Sequence, residues 1–542
     1  INGLGSEELT IDAGGNSRVF NIDDGDSENE ADVSLSDLTI TGGAIRGSGG
    51  GLSNSENLTL TNSTISSNAA YDGGGGIYND GTVTISSSNV SDNSTYGVGA
   101  AIDNRSEITI TSSTISGNSA NGIGGGIYSE GDNTTVTITD SEVSDNISEP
   151  GGGGINIEFG ELSISNSTVS GNSANFGGGI YNAFGTASIN NSTVSGNSAN
   201  FGGGIANGGR ANISNSTVRG NSANESGGGI NDYGTASISN STVSGNSANR
   251  GGGINSGNDR ASISNSTISG NSANRGGGIY NGVNPGTITS ISNSTVSGNS
   301  ANRGGGIFNE GTANINNSIL SANLAEADGN EVFLPEDEGK IFDQNSLFGD
   351  SSQSNAEAFS GFTPRDGNFV TNFTATSDGN TPTALDSILN PNLQDNGGDT
   401  LTHALVEGSP AIDVGDNALL SEAEVEIDFN SDGDTEDTLR TDQRGFARIV
   451  NDTVDLGAVE FGSSEPPTPT VNVSIDPTEG SEADQTTFTL TATASQAVLG
   501  EQTVDLAVSG DVDADDFTGD LPSTLTIADG ETTGSVEVTV ND

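Results

Sequence analysis

The residues best suited to binding a metal ion lie in one acidic turn. In the sequence DFNSDGDTEDTL, Asp428, Asn430, Asp432 and Asp434 occupy alternating positions. Calcium takes about six to eight oxygen ligands, and this spacing matches the first half of a twelve-residue calcium loop. The twelfth position, where such a loop needs a bidentate glutamate, is Leu439. The turn is therefore interpreted either as a calcium site or as a solvated acidic turn.

One repeated surface position changes its chemistry along the chain. The residue after each S-A-N tripeptide is, in successive repeats, Phe176, Phe201, Glu225, Arg250, Arg275 and Arg303. Phenylalanines one repeat apart can stack, whereas arginines one repeat apart repel and need anions, carboxylates or solvent between them. The column is either an ordinary solvated face or a contact site for an acidic glycan or for the carboxylates of a protein partner.

Few other residues could catalyse a reaction. The only lysine, Lys340, and the only histidine, His403, lie outside the regular repeats. Outward repeat positions are nearly all Ser, Thr, Asn or Gly, and His403 in the alternating sequence LTHAL is interpreted as a structural or surface residue. We predict no enzymatic activity. The alternative is a polysaccharide lyase or hydrolase acting on acidic glycans, because carboxylates one repeat apart become neighbours in a stacked fold.

The composition narrows the class of partner. The 542 residues include 14 Lys+Arg and 73 Asp+Glu, a formal charge of −59, and no cysteine. Such a surface repels nucleic acid, because phosphate binding needs basic residues, and it suits divalent cations. No disulfide or thiolate metal site can form, and no apolar run has the length of a membrane span. We therefore expect no nucleic-acid partner and no membrane-spanning segment in this chain.

The elements that position these residues come from a repeat of about 25 residues. Twelve copies, of which NSTVSGNSANFGGGIYNAFGTASIN is typical, align on anchor residues at 37, 62, 87, 112, 140, 166, 191, 215, 240, 265, 293 and 317. Short β-favouring stretches alternate with Gly/Asn/Ser turns, and none is long enough for a helix. The period predicts a right-handed parallel β-helix with inward aliphatic ladders. The Asn of each G-N pair is predicted to take left-handed backbone angles and to form a stacked amide ladder.

The chain is predicted to contain four segments. Residues 1–350 form the β-helix, 351–462 its irregular final coils or cap, 463–470 (SSEPPTPT) a proline-rich linker, and 471–542 a β-sandwich. The sequence starts and stops within strand-like stretches, so we expect it to be part of a longer protein, with any signal peptide or anchor outside it.

Two sets of motifs resemble known bacterial families. The GGGIYN…NSTVSGNSA repeats resemble polymorphic outer-membrane-protein repeats, and NPNLQDNGGDTLTHALVEGSPAIDVGDN with TDQRGFARIVNDTVDLGAVEF resembles the closing region of choice-of-anchor β-helix proteins. This resemblance implies an exported protein held at the cell envelope. Those families are defined by architecture, so the resemblance assigns no catalytic residue.

Residues 471–542 resemble a Calx-beta module, an immunoglobulin-like β-sandwich. The carrying stretches are VNVSIDPTEGSEADQTTFTLTATA, QTVDLAVSGDVDADDF and LTIADGETTGSVEVTVND. The resemblance implies Ca²⁺ binding through Glu479, Asp515, Asp516 and Asp542, at a site left incomplete because the sequence ends at its acidic terminal turn.

Together these patterns predict a structural or adhesive protein, secreted or at the bacterial cell surface. We expect a monomeric rod that presents a polar binding face to a glycan or protein ligand. Ca²⁺ would stabilise the acidic turn and the C-terminal module.

Overall fold

A computed structural model describes residues 1–6, 8–25, 30–257, 260–282, 288–336, 339–365, 372–420, 439–464, 471–477, 486–494, 502–506, 524–528 and 532–540. These residues form two compact units. The first holds those up to Ser464, and the second those from Val471 onward.

The first unit is a right-handed parallel β-helix of about 14 turns, as the repeat predicted. At coil spacings of roughly 4.8 Å, the stack is about 65 Å long. The chain bends at all twelve anchor positions, where the backbone φ lies between 43° and 57°. Asn, Asp and Ser occupy these left-handed positions, which among non-glycine residues favour short polar side chains.

Sheet 1 contains the strands that follow the anchors. Its 15 parallel strands are Thr10–Asp12, Thr39–Thr41, Thr64–Ser66, Asn89–Ser91, Thr114–Ser116, Glu142–Ser144, Thr168–Ser170, Thr193–Ser195, Thr217–Arg219, Thr242–Ser244, Thr267–Ser269, Thr295–Ser297, Ile319–Ser321, Leu347–Phe348 and Phe373–Thr374.

Sheet 2 contains the short strands at the position where the regular repeats have S-A-N, and it has two parts. The first is Ala44–Ile45, Ala69–Ala70, Ser94–Thr95, Ser119–Ala120 and Ile147–Ser148, and the second is Ser198–Phe201, Ser222–Ser226, Ser247–Arg250, Ser272–Arg275, Ser300–Arg303 and Leu324–Asp328. Isolated bridges through Ser173 connect the two parts.

Sheet 3 contains the strands that follow the glycine triplets. They are Phe20–Ile22, Leu52–Asn54, Ile77–Asn79, Ile102–Asn104, Ile127–Ser129, Ile155–Ile157, Ile180–Asn182, Ile205–Asn207, Ile230–Asp232, Ile254–Ser256, Ile279–Asn281, Ile307–Asn309, Val332–Phe333 and Phe359–Ser360.

Sheet 4 completes each coil. Its strands are Asp32–Ser36, Asn57–Thr61, Thr82–Ser86, Glu107–Thr111, Thr135–Thr139, Glu161–Ser165, Thr186–Asn190, Arg210–Ser214, Thr235–Ser239, Arg260–Ser264, Ile288–Ser292, Thr312–Asn316 and Lys340–Gln344.

The core consists of aliphatic ladders, one residue from each coil. Ile180, Ala187, Ile189 and Val194, which the alternation predicted to point inward, are all buried. Their equivalents in neighbouring coils pair in register, so each apolar side chain packs between similar ones. Burial of these side chains is the main contribution to the stability of the β-helix. One coil alone could not bury them, because each needs a neighbouring coil to cover it.

A ladder of buried asparagine amides runs beside the apolar core. The Asn197 side-chain nitrogen donates to Asn221 Oδ1 at 3.0 Å and to the Val169 carbonyl at 3.0 Å, and Asn197 Oδ1 accepts from Asn172. The predicted ladder is confirmed, but the predicted left-handed angle is wrong for these asparagines. It belongs to the preceding residue, for example Gly196 at φ 65°.

The glycine triplets allow neighbouring coils to approach closely. A Cβ on Gly203 would lie 2.4 Å from the Ser222 carbonyl oxygen and 2.5 Å from that of Gly228, both in the next coil. No side chain fits there, so these glycines have a structural role.

A C-terminal segment, which we call the strap, packs along the outer face of sheet 1. The strap comprises residues 390–420 and 439–463 of the described chain. Thr242 donates to the Leu401 carbonyl (2.6 Å), Thr267 to Gln443 Oε1 (2.6 Å), and the Gly457 amide to the Asn317 carbonyl (2.8 Å). Its regular elements are the 3₁₀ turn Asn417–Leu420 and the hairpin Ile449–Val450 with Thr453–Val454. The helix Asn355–Ala358 and the 3₁₀ turn Leu385–Ser387 precede it.

The second unit contains five described strands, all in antiparallel pairs. Val471–Asp476, Thr487–Ala494 and Thr533–Thr539 form one sheet, and Gln502–Asp505 with Thr524–Ile527 form another. Ala492, Ala494, Leu525 and Ile527 make a small buried core. The predicted immunoglobulin-like sandwich and its Calx-beta assignment remain predictions.

Candidate binding face

The candidate binding residues form a column on one edge of the β-helix, which we call the ridge. Phe176 pairs with Phe201, Phe201 with Ser226, Ser226 with Arg250, and Arg250, Arg275 and Arg303 follow in register. The sequence placed Glu225 in this column, but a register shift in that coil puts Ser226 there instead. The rings of Phe176 and Phe201 stack with centroids 5.1 Å apart.

Under the arginines lies a second column of aromatic rings. Tyr280, Phe308 and Phe333 pair in register in successive sheet 3 strands, with ring-centroid distances of 5.4 and 4.8 Å. Arg250 lies over the Tyr280 ring, Arg275 over Phe308 and Arg303 over Phe333, at 5.8, 5.6 and 5.4 Å. Sequence reasoning missed these rings, although the change from I-N-S to I-Y-N, I-F-N and V-F marks them.

The charges of the ridge are only partly balanced. Arg303 faces Asp328 at 3.8 Å, whereas Arg250 and Arg275 form no ion pair among the described residues. The Tyr280 hydroxyl donates to Glu310, and burial, followed by that hydrogen bond, raises the pKa of Tyr280. Arg250 and Arg303 are exposed and Arg275 is half-buried. A guanidinium group that solvent reaches can donate a pair of hydrogen bonds to a carboxylate.

A related cluster lies nearer the N-terminus. Arg105 lies over the Tyr128 ring at 5.1 Å and bridges the carboxylates of Asp103 and Glu130, while the Tyr128 hydroxyl donates to Glu158. Burial raises the pKa of Asp103 to about 6, although Arg105 lowers it. Sequence reasoning missed this charge-rich coil, because it took outward repeat positions to be nearly all Ser, Thr, Asn or Gly. Asp103 is buried and its carboxylate is bonded to Arg105. This arrangement does not offer the carboxylate to a substrate as a general acid or base.

The lone histidine has a buried partner. His403 Nε2 lies 2.8 Å from Ser269 Oγ, and Nδ1 lies 2.9 Å from the Asn390 carbonyl oxygen. Both side chains are buried between the strap and sheet 1, and burial lowers the pKa of His403. The Nδ1 partner is a backbone carbonyl where a catalytic triad has a carboxylate, so this pair serves to join the strap to the coil.

One group of carboxylates in the strap lies close enough to suggest a metal ion. Oxygens of Asp413, Asp455 and Glu460 lie within 4.8 Å of one another. However, both Asp455 oxygens and both Glu460 oxygens already accept backbone amides, and Arg448 lies buried beside them. Burial raises the pKa of Glu460 to about 8, although the positive charge of Arg448 lowers it. The group does not fit the open oxygen cage that calcium needs, and instead organises the strap.

The predicted calcium ligands all lie outside the described residues. These are Asp428, Asn430, Asp432, Asp434, Glu479, Asp515, Asp516 and Asp542. Calcium binding by them therefore stays a prediction.

A comparison with protein-family models agrees with the observed coils. A model described as "right handed beta helix region" matches residues 16–160. The same coil continues in register well beyond that range, to Phe373–Thr374. This chain is a parallel β-helix repeat protein. Searches of curated proteins and of solved structures found no significant match for this β-helix protein. Within its described ranges, no helix combines the length and apolar character that crossing a membrane requires.

Proposed function

We propose that this β-helix protein is an adhesive rod of the bacterial cell surface and that its ridge binds acidic glycans. The observation that carries the proposal is the in-register stripe of Arg250, Arg275 and Arg303 above three stacked rings. The chain carries a charge of −59, and the only ion pair that these three aligned cations form among the described residues joins Arg303 to Asp328. Such a stripe favours an external anion.

The spacing of the stripe supports a polymeric ligand. Guanidinium groups one coil apart repeat at roughly 4.8 Å along the rod. An extended polyuronate presents ring-borne carboxylates along its length, and each guanidinium group can donate a pair of hydrogen bonds to one of them. The aromatic rings beneath hold the arginine side chains in place, which lowers the entropy lost on binding.

We also propose that the protein binds without cleaving its ligand. The Ser269–His403 pair is buried, and Asp103 is bonded to Arg105. The alternative enzyme, a lyase or hydrolase for acidic polysaccharides, would release unsaturated or reducing ends. Its test is therefore included in the binding experiment below.

Replacing Arg275 by glutamine is expected to weaken binding of a galacturonate oligomer about 20-fold, because one charge-assisted pair is lost. Glutamine still covers Phe308, so the melting temperature should stay close to that of the wild type. Isothermal titration without calcium measures the affinity, and an assay for new chain ends in the same samples detects cleavage.

Arg219→Ser is the matched control for Arg275→Gln. Arg219 lies in sheet 1 between Ser195 and Ser244, so the variant removes the same charge from another face. Its affinity should equal that of the wild type. Equal losses in both variants would mean nonspecific charge attraction, and new chain ends would favour the enzyme.

Calcium stabilisation is the second part of the proposal. The acidic turn at 428–434 and the C-terminal residues Glu479, Asp515, Asp516 and Asp542 are its expected ligands. Adding Ca²⁺ should raise the melting temperature relative to a chelator, because a ligand that binds only the folded state stabilises it. Mg²⁺ at the same concentration is the control. Superimposable melts in Ca²⁺ and chelator would contradict the proposal.

A further inference from the structure

Another cationic–aromatic cluster lies on the same edge as the ridge. Arg46, Tyr71 and Tyr96 each follow a short sheet 2 strand directly, and those strands pair in register as Ile45–Ala70 and Ala70–Thr95. The three side chains therefore occupy equivalent positions in three successive coils. The tyrosine ring centroids lie 5.4 Å apart.

These side chains are unusually open to solvent. Tyr71 is 58% exposed and Tyr96 is 69% exposed, and Arg46 is exposed as well. Among the described residues Arg46 forms no ion pair, and the equivalent position after Tyr96 is the small Asn121. One face of the ring stack is thus uncovered. Large exposed rings beside an uncompensated cation are typical of a binding surface.

From this arrangement we infer that Arg46, Tyr71 and Tyr96 form a second subsite for acidic sugars. The tyrosine rings can stack against the C–H faces of a pyranose, and Arg46 can donate to its carboxylate. This inference rests on the proposed function of the ridge and extends it. It makes the ligand a long polyuronate lying parallel to the rod axis.

Distance separates the tyrosine subsite from the arginines of the ridge, and acidic residues lie in the interval. Six coils separate Tyr96 from Arg250, or roughly 29 Å along the axis. Glu149 and Glu225 are exposed on this edge between the two subsites. A polyanion would contact the rod at both ends of the interval, and the second contact would become intramolecular once the first has formed.

The test uses the double variant Tyr71→Ser/Tyr96→Ser and galacturonate oligomers of about three and about fifteen residues, so that only the longer one can bridge the subsites. In isothermal titration the short oligomer should bind the variant with one molecule fewer per chain, while its affinity for the ridge is unchanged. The long oligomer should bind about tenfold more weakly, because bridging is lost.

Phe184→Ser is the control, because Phe184 is also an exposed ring, stacked on Phe159 after sheet 3 strands on a different corner. It should leave both oligomers unaffected. If Arg275→Gln weakens short-oligomer binding but the tyrosine variant changes neither stoichiometry nor long-oligomer affinity, the second subsite is wrong and the ridge stands. If the short oligomer fails to bind the wild type at all, the proposed function itself fails.

Discussion

Replacing Asn246 by leucine is expected to lower the free energy of unfolding by about 4 kcal/mol, because several buried hydrogen-bonding groups lose their partners. Asn246 Oδ1 accepts from the Asn221 backbone and side-chain nitrogens, and its own side-chain nitrogen donates to Val218 and Asn271. Leucine has a similar size but satisfies none of them. The ladder would be interrupted in the middle of the rod.

The loss should also change the shape of the transition. In a solenoid each coil contacts only its neighbours, so weakening one interface separates the blocks on either side. Guanidinium denaturation followed by circular dichroism should show a lower first midpoint and a second transition. A single unshifted transition would contradict the assigned role of the ladder.

Asn249→Leu is the matched control for Asn246→Leu. Asn249 lies three residues further in the same coil, is exposed, and accepts one long hydrogen bond of 3.3 Å from Asn274. Its substitution should change the free energy of unfolding by less than about 0.5 kcal/mol, as is typical of surface positions.

Replacing Gly457 by alanine is expected to destabilise docking of the strap by about 3 kcal/mol, since both backbone strain and a steric clash oppose it. The backbone φ of Gly457 is 91°, and a Cβ there would lie 2.8 Å from Thr295 Oγ1 and 2.9 Å from Ile319 Cδ1. Amide hydrogen exchange in peptides covering 441–461 should accelerate about 100-fold, as that free energy implies.

Gly445→Ala is the control for Gly457→Ala, because it introduces backbone strain without a steric clash. Gly445 has a φ of 80°, and a Cβ there would meet no atom within 4 Å. The substitution should destabilise docking of the strap by about 1 kcal/mol, because only the left-handed backbone angle opposes it. Equal exchange rates in the two variants would show that contact with Thr295 and Ile319 does not hold the strap.

Most of the β-helix was predictable because its periodicity is local. A strict repeat forces equivalent residues to stack, so Ile189 and Val194 could be placed inside and the asparagine ladder anticipated. The left-handed angle was assigned to the wrong residue, because Gly, Asn and Ser all occur in that turn and composition does not distinguish their backbone angles.

The candidate site was predictable only in outline. The arginine column follows from the period, but the rings beneath it belong to another strand of the coil, and their contact depends on how sheet 2 folds over sheet 3. The shift from Glu225 to Ser226 arises from one extra residue between S-A-N and the glycine triplet of that coil. The sequence shows the extra residue but does not indicate whether Glu225 or Ser226 takes the position in the column.

Periodicity, composition and charge alone were enough to establish an all-β stack of coils with an acidic surface and one cationic stripe. Contacts between residues far apart in the chain required the folded molecule. Ser269 meets His403, and Thr295 meets Ala458, across separations of 134 and 163 residues. The strap covers Thr and Asn positions that recur in most coils, so these positions do not indicate which coils it selects. That choice depends on three-dimensional packing around Ile319, where an apolar residue replaces the repeated threonine.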